Sequence, residues 1–224
     1  MLTVLLLLLD LVATATTTSS PELLLHSAHG GDVKEVAALL STTRGEVCSA
    51  RDGGGNTALH IATMAAAELA HGAGQQATAH DDVIDLLLEA GCDVNAQNLE
   101  GLTATHFGAF SGIKALGRLV SVSGADLDRK TRAGGATPLI WAVVHGQVWA
   151  TTTLLRAGAD VNAQDSHGST ALHAASQEGL PGTITLLIAA GADLSLRDRN
   201  GWTALHTAAN VSHAAPPPFR LAFS

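Results

Sequence analysis

The chain has 224 residues, 46% of them hydrophobic, which is enough for a sizeable core and excludes a largely disordered chain. Aromatic residues make up only 3% and tyrosine is absent, a composition that favours closely packed helices over a β-sandwich. Twelve Lys and Arg against twenty Asp and Glu give a net charge of −8, so nucleic acid and anionic membranes are disfavoured as partners.

Residues 1–21 form an apolar amino-terminal segment with three interpretations. A signal peptide is one, because a short leucine-rich core precedes the small residues 13–15, although no Lys or Arg comes before the core and Asp10 interrupts it. The second is a helix from a truncated repeat, because residues 4–10 parallel residues 83–89. The third is an unrelated tail. The apolar run is too short to span a bilayer.

Two sequence markers recur along the rest of the chain. The first is G-N-T-A-L-H or a variant of it, and its threonines are Thr57, Thr103, Thr137, Thr170 and Thr203, spaced by 46, 34, 33 and 33 residues. The second is G-A-D-V-N-A-Q or a variant, and its first glycines are Gly91, Gly124, Gly158 and Gly191, spaced by 33, 34 and 33 residues. Agreement between two independent markers predicts a repeat architecture.

These residues resemble the ankyrin repeat, which reads D-x-x-G-x-T-P-L-H, a helix, a turn, V-x-x-L-L-x-x-G and A-D-V-N-A. Residues 165–190 are a full copy, and the resemblance covers residues 22–210. Some positions depart from the pattern: Arg132 stands for the turn Asp, Ile140 stands for His, and only Pro138 keeps the proline. The resemblance implies an all-α solenoid of about five to six repeats, built from helix-turn-helix units with short β-hairpin loops.

The alignment divides the chain into eight segments. They are the apolar segment 1–21, a weak repeat 22–52, a repeat with an insertion 53–98, repeats 99–131, 132–164 and 165–197, a partial repeat 198–210, and a Pro-rich tail 211–224. The insertion lies near 65–80 and is interpreted as a loop or helix extension away from the hairpin tips, or as a partner-specific loop. Three consecutive prolines exclude a helix in the tail.

Local chemistry predicts where the helices of the best copy begin and end. Thr170 is expected to cap the first helix and to bond to the imidazole of His173, and Gly179 to end that helix. Gly191 is expected to end the second helix in a left-handed conformation. The second helix has an apolar stripe formed by Ile184, Leu187 and Ile188. Neither helix buries its stripe alone, so neighbouring repeats are expected to stack.

The cysteines and histidines are predicted to be structural. Cys48 and Cys92 lie about one repeat apart, roughly 10 Å, which is beyond the ~7 Å limit for a disulfide, so we expect free thiols in a reducing compartment. Four histidines recur at one repeat position, and neighbours about 8–10 Å apart are too distant to share a zinc ion. They are His60, His106, His173 and His206.

No motif predicts catalysis. The sequence contains no HExxH, GxSxG or P-loop, and the glycines at 53–55 lack the strand and the GK[ST] that a phosphate-binding loop needs. We therefore expect no enzyme activity, no cofactor and no metal.

The resemblance implies a partner-binding concave face formed by loop tips and the ends of first helices. The corresponding positions are Leu99, Glu100, Leu102, Phe110, Ser111, Val144, His145, Ser166, His167, Ser169, Gln177, Glu178, Arg199, Asn200 and Trp202. Among them, Leu102, Phe110, Val144 and Trp202 are expected to form an exposed apolar band, the kind of patch that marks an interface. Trp141 is placed at a core-facing position and is left out of the set.

The resemblance thus implies a non-catalytic scaffold or adaptor that binds a partner protein of unknown identity through the concave groove. The alternative is a regulatory or targeting segment of a larger enzyme or channel of which this chain is a fragment. A third class is a secreted or membrane-associated effector. The expected location is the cytoplasm, or the secretory route if residues 1–15 are a signal peptide.

Overall fold

The computed structural model describes residues 20–42, 47–70, 77–112 and 114–213. Within these ranges the chain forms eleven α-helices and one short 3-10 turn, Val47–Ser49, and no residue lies in a β-strand. The helices are α1 Ser20–Gly30, α2 Val33–Thr42, α3 Ala58–Ala70, α4 Ala77–Glu89, α5 Ala104–Ser111, α6 Ala115–Ser121, α7 Pro138–Val144, α8 Val148–Ala157, α9 Ala171–Gln177, α10 Pro181–Ala189 and α11 Ala204–His213. Of the amino-terminal segment 1–21, residues 1–19 lie outside this description, so its three interpretations stay predictions, while residues 20–21 begin α1.

The helices pair and stack in chain order, which confirms the all-α repeat fold. Each first helix packs against the next first helix along the series α1, α3, α5, α7, α9 and α11. Each second helix packs in the same way along α2, α4, α6, α8 and α10. The stack buries two aliphatic core clusters, and Leu87, Leu116, Leu154 and Leu187 are fully buried side chains of successive second helices.

The recurring Thr and His residues fix the starts of the first helices. Thr170 is extended, its hydroxyl accepts the N–H of His173 at 3.4 Å, and its own N–H donates to the imidazole Nδ1 at 3.3 Å. The imidazole Nε2 lies 3.0 Å from the carbonyl oxygen of Trp202 in the following repeat. A backbone N–H only donates and a carbonyl only accepts, so these partners fit a neutral ring protonated on Nε2. The capping predicted for Thr170 is confirmed, and the histidine also ties one repeat to the next.

Successive loops are joined by one backbone hydrogen bond at each step. The N–H groups of Leu99, Arg132, Ser166 and Arg199 donate to carbonyl oxygens of the preceding loop at 2.8–3.0 Å. Gly101 shows why glycine precedes each Thr motif: its φ is +80°, and a Cβ there would lie 2.6 Å from the Arg132 nitrogen. Thr131, rather than Arg132, occupies the turn position that Asp165 has in the next repeat. Thr131 bonds to the backbone of Ala136 through its N–H and its hydroxyl, just as Asp165 bonds to the backbone of Ser169 through its N–H and its carboxylate. The alignment of Arg132 with that Asp was therefore wrong by one residue.

The predicted insertion lengthens the helices of its repeat. Helices α3 and α4 have 13 residues each, whereas α5 has 8 and α6 has 7. Ser111, the last residue of α5, aligns with Ala65, so residues 66–70 extend α3 beyond the common repeat length. The described residues of this segment lie in extended helices, whereas residues 71–76 lie outside the described ranges, so the choice between a loop or helix extension and a partner-specific loop stays open.

Cys48 and Cys92 form a disulfide, and the prediction of two free thiols was wrong. Their Cα atoms are 5.0 Å apart, about half the spacing that we expected from stacked repeats. In the sequence, Cys48 is the third residue after the preceding glycine and Cys92 is the first, so the two cysteines do not hold equivalent repeat positions. The bridge closes a sequence separation of 44 residues, for which loop-closure entropy corresponds to a stabilisation of about 4 kcal/mol.

The last described repeat has a single helix and an exposed apolar end. Helix α11 continues to His213, three residues beyond the predicted boundary at 210, while residues 214–224 lie outside the described ranges. Leu205 is 78% exposed, and Ile188, assigned to the buried stripe of α10, is 47% exposed, since no later second helix among the described residues packs against it. None of the described helices is both long and apolar enough to cross a membrane.

Candidate partner-binding groove

The predicted contact residues lie on the loop tips and at the ends of the first helices. We call the surface that they form the groove. Leu99, Phe110, Val144 and Trp202 are large apolar members that are between 39% and 60% exposed. The polar members Glu100, His145, Ser166, His167, Gln177, Glu178, Arg199 and Asn200 are also exposed, and Ser169 is half-buried. The structure thus leaves most of the predicted set accessible to a partner.

Two members of the predicted set are buried. Leu102 is only 4% exposed, so its assignment to the exposed apolar band was wrong. The N–H of Leu102 donates to the side-chain oxygen of Asn98, and the carbonyl oxygen of Leu102 is bonded to the imidazole of His60 in the preceding repeat. These two bonds hold Leu102 between two repeats. Ser111 is 9% exposed, and its hydroxyl donates to the Phe107 carbonyl oxygen one turn earlier. Phe110, Val144 and Trp202 remain as the exposed band.

An aromatic cluster occupies the middle of the groove. The ring of Phe110 meets the imidazole of His145 edge-on with centroids 4.4 Å apart, and it lies 6.2 Å from Trp141. Trp141 in turn lies 5.6 Å from His145. Such edge-on contacts are a favourable arrangement of aromatic rings.

Beside this cluster is a hollow of about 590 Å³ that we call the aromatic pocket. Its walls include Met64, Phe107, Phe110 and Trp141, and Leu102 contributes to its lining. Glu68 and Glu100 line it as well, and both are exposed. The lining thus combines apolar side chains with two carboxylates.

Sequence reasoning missed Trp141, Met64 and Glu68 as groove residues. Trp141 was placed in the core, but it is half-buried, as are Ile61, Phe107 and Ala174 at the same repeat position. The sequence alignment could have indicated the exposure of Trp141. One repeat has alanine at this position, so the larger tryptophan side chain is not needed to fill the core. Glu68 lies in the inserted part of α3, where no repeat position predicts its surroundings.

A second hollow, of about 510 Å³, lies at the carboxy-terminal part of the groove, and we call it the polar pocket. Its lining includes His167, Gln177, Asn200 and Trp202, all in the predicted set. Beneath them, the N–H of Trp202 donates to the Asp198 carboxylate at 2.9 Å and lowers the pKa of that carboxyl group. The polar pocket therefore offers several hydrogen-bonding groups, in contrast with the apolar walls of the aromatic pocket.

Two of the repeated histidines, His60 and His106, are buried between repeats. Burial lowers the pKa of His106 to about 4, against the weaker opposing effect of its bond to the Ala136 carbonyl oxygen. Burial likewise lowers the pKa of His60. Both rings are therefore neutral at pH 7, and each has both nitrogens bonded to repeat backbone or to a repeat threonine. Within the described ranges, no group of three or more His, Cys, Asp or Glu side chains could hold a metal ion.

Comparisons with known proteins agree with this architecture. Residues 70–165 and 152–215 match the family described as ankyrin repeats (3 copies), which covers more than half of the chain. The B-cell lymphoma 3 protein homolog of Mus musculus is 35% identical over 141 residues, which are 63% of this chain and 30% of that protein. Palmitoyltransferase Hip14 of Drosophila melanogaster is 37% identical over 87 residues, which are 39% of this chain and 14% of that protein.

A solved structure is also similar over most of its length. The crystal structure of EF0377, an ankyrin repeat protein, superposes with a TM-score of 0.70 at 27% sequence identity, covering 85% of this chain and 92% of that one. By contrast, the chain spans less than a third of the length of the two curated relatives.

Proposed function

Because the chain belongs to the ankyrin-repeat family, we propose that it is a non-catalytic scaffold or adaptor that binds a partner protein through the groove. The observation that carries the proposal is the exposed band of Phe110, Val144 and Trp202, contributed by three different repeats. Large apolar side chains that a folded chain leaves exposed along one surface are typical of protein interfaces. The net charge of −8 favours a protein partner over nucleic acid.

The test compares partner recovery by three forms of the chain. The groove variant is Phe110→Ala with Trp202→Ala, and the matched control is Trp149→Ala, which removes a 46% exposed tryptophan from the second helix α8. We expect proteins recovered with the wild type and the control to be lost from the groove variant, with equal thermal stability of all three. Loss of one anchor residue typically weakens binding by about 1–2 kcal/mol, or roughly tenfold. Unchanged recovery by the groove variant would place the interface elsewhere.

The alternative is that these repeats serve as a regulatory or targeting segment of a longer protein. Its support is that the matched regions are only 30% and 14% of the two curated relatives, so such arrays do occur as parts of larger chains. One of those relatives is named a palmitoyltransferase, and only 14% of its length matches this chain. Extending the genomic reading frame past Ser224 distinguishes the alternatives.

The disulfide bears on the proposed location. The expectation of a cytoplasmic protein rested on two free thiols, and the Cys48–Cys92 bridge removes that support. Disulfides persist mainly in oxidising compartments, so the bridge favours the secreted alternative in which residues 1–15 act as a signal peptide. The first residue of the native chain, Met1 or a position near Thr16, distinguishes these locations.

A further inference from the structure

We propose that the aromatic pocket binds an arginine side chain of the partner protein. This inference rests on the proposed function, because it names the chemistry by which one part of the groove recognises its partner. It starts from the composition of the pocket: four apolar or aromatic walls, Met64, Phe107, Phe110 and Trp141, and two carboxylates. Among the residues that the structure describes, no Lys, Arg or His side chain lines it.

Neither carboxylate forms an ion pair within the part of the chain that the structure describes. Among the described residues, the ion pairs are Arg118–Asp85, Arg129–Asp126 and His167–Asp165, and none includes Glu68 or Glu100. Both glutamates are exposed, so water solvates them in the free protein. A partner that covers the pocket removes that water, and an uncompensated carboxylate is costly to desolvate. The occupant therefore has to bring positive charge.

The walls require that the same occupant also be apolar along its length. An arginine side chain has a stem of methylene groups that can lie along Met64 and Phe107, and a planar guanidinium that stacks on an aromatic face. The guanidinium can also pair with carboxylates in bidentate fashion. A leucine or phenylalanine would leave both glutamates unpaired, and an acidic side chain would be repelled by them. Lysine supplies the charge but not the planar group that stacks on Phe110 or Trp141.

The inserted residues help to build this pocket. Helix α3 is five residues longer than α5, 13 against 8, and Ala67 and Glu68 of the pocket lie within the extension 66–70. A helix of common repeat length would end before Glu68. The extension thus supplies one of the two carboxylates, which gives the insertion a role in partner recognition.

The test uses nuclear magnetic resonance of the full ¹⁵N-labelled chain with three probes. They are N-acetyl-arginine amide, its uncharged isostere N-acetyl-citrulline amide, and N-acetyl-norleucine amide, which is apolar. The indole signals of Trp141, Trp149 and Trp202 report on the pocket, the outer surface and the other part of the groove. We expect the arginine probe to shift the Trp141 signal selectively, and the other two to bind about tenfold more weakly.

A pair of charge-matched variants tests the role of the carboxylates. Glu68→Gln with Glu100→Gln should reduce the affinity for the arginine probe to that for citrulline. The control, Glu22→Gln with Glu89→Gln, removes two exposed glutamates from α1 and α4 outside the groove and should leave the affinity unchanged. The proposal is overturned if the arginine probe leaves Trp141 unshifted, if norleucine or citrulline binds equally well, or if the two double variants behave alike.

Failure of this inference is distinguishable from failure of the proposed function. If partner recovery depends on Phe110 and Trp202 but the arginine probe does not bind, the groove remains the interface and its occupant is not arginine. If the probe binds but partner recovery is insensitive to the groove variant, the pocket is real and the partner surface lies elsewhere.

Discussion

The interior repeats and the last described repeat contain the same motif in two different surroundings. Leu172 in T-A-L-H of α9 is 3% exposed, whereas Leu205 in T-A-L-H of α11 is 78% exposed. The two leucines hold the same place in the secondary structure, since each is the second residue of its helix. The difference shows that the motif determines where a helix starts, while the following repeat determines whether its apolar side chain is buried.

The histidines of the motif give the same comparison. His106 is fully buried, and its Nε2 lies 3.3 Å from the Ala136 carbonyl oxygen of the following repeat. His206 is exposed, and its Nδ1 lies 2.7 Å from the hydroxyl of Thr203 in its own repeat. A repeat thus contributes local capping by itself and gains burial and a second hydrogen bond only from its neighbour, as expected for a one-dimensional stack.

The largest expected effect is the difference in stability between alanine variants of Leu172 and Leu205. Leu172→Ala should lower the free energy of unfolding by about 3 kcal/mol, because it leaves a cavity between stacked repeats. Leu205→Ala should change it by less than about 0.5 kcal/mol, because the side chain is exposed. Urea unfolding followed by circular dichroism measures both. Equal losses for the two variants would show that the end of the stack is covered in solution.

A pH dependence tests the buried interior histidine. Burial lowers the pKa of folded His106 to about 4, below the ordinary value of 6.5, so between these values the unfolded chain binds more protons. Stability from this group is therefore complete above about pH 6.5 and is lost as the pH falls toward 4, by about 3 kcal/mol in total.

The measurement is urea unfolding at a series of pH values from 7 to 4 for the wild type and for His106→Gln. The glutamine keeps a donor and an acceptor but does not titrate in this range. Its stability should fall less steeply with decreasing pH, and the carboxylates, which titrate in both proteins, cancel in the difference. Parallel curves for the two proteins would contradict the assignment of a neutral, buried His106.

Local sequence chemistry predicted the parts of the fold that depend on one repeat alone. Thr170 caps a helix through His173, and Gly179 and Gly191 have the positive φ values that end helices. Each of these features is determined by a few neighbouring residues, so the sequence pattern is sufficient to identify it.

The errors concern positions whose surroundings come from another repeat. Leu102 is buried by contacts with the preceding repeat, and Cys48 reaches Cys92 because the two loops align at different positions. Trp141 was assigned to the core, although it is half-buried. Register and spacing between repeats depend on three-dimensional packing, which the repeat period alone does not specify.

The smallest of the expected effects isolates the contact between loops. Gly101 and Gly201 both have a φ of +80°, so alanine costs about 1 kcal/mol at either position through its left-handed conformation. At Gly101 the new Cβ would also lie 2.6 Å from the Arg132 nitrogen, whereas at Gly201 it meets no atom within 4 Å. The Gly101→Ala variant has to displace the loop that contains Arg132, which should lower its free energy of unfolding by about 2 kcal/mol more than in Gly201→Ala. Urea unfolding of the two variants measures the difference between their free energies of unfolding. A difference near zero would mean that the loops move apart at no cost and that the hydrogen bond between them contributes little to the stability of the stack.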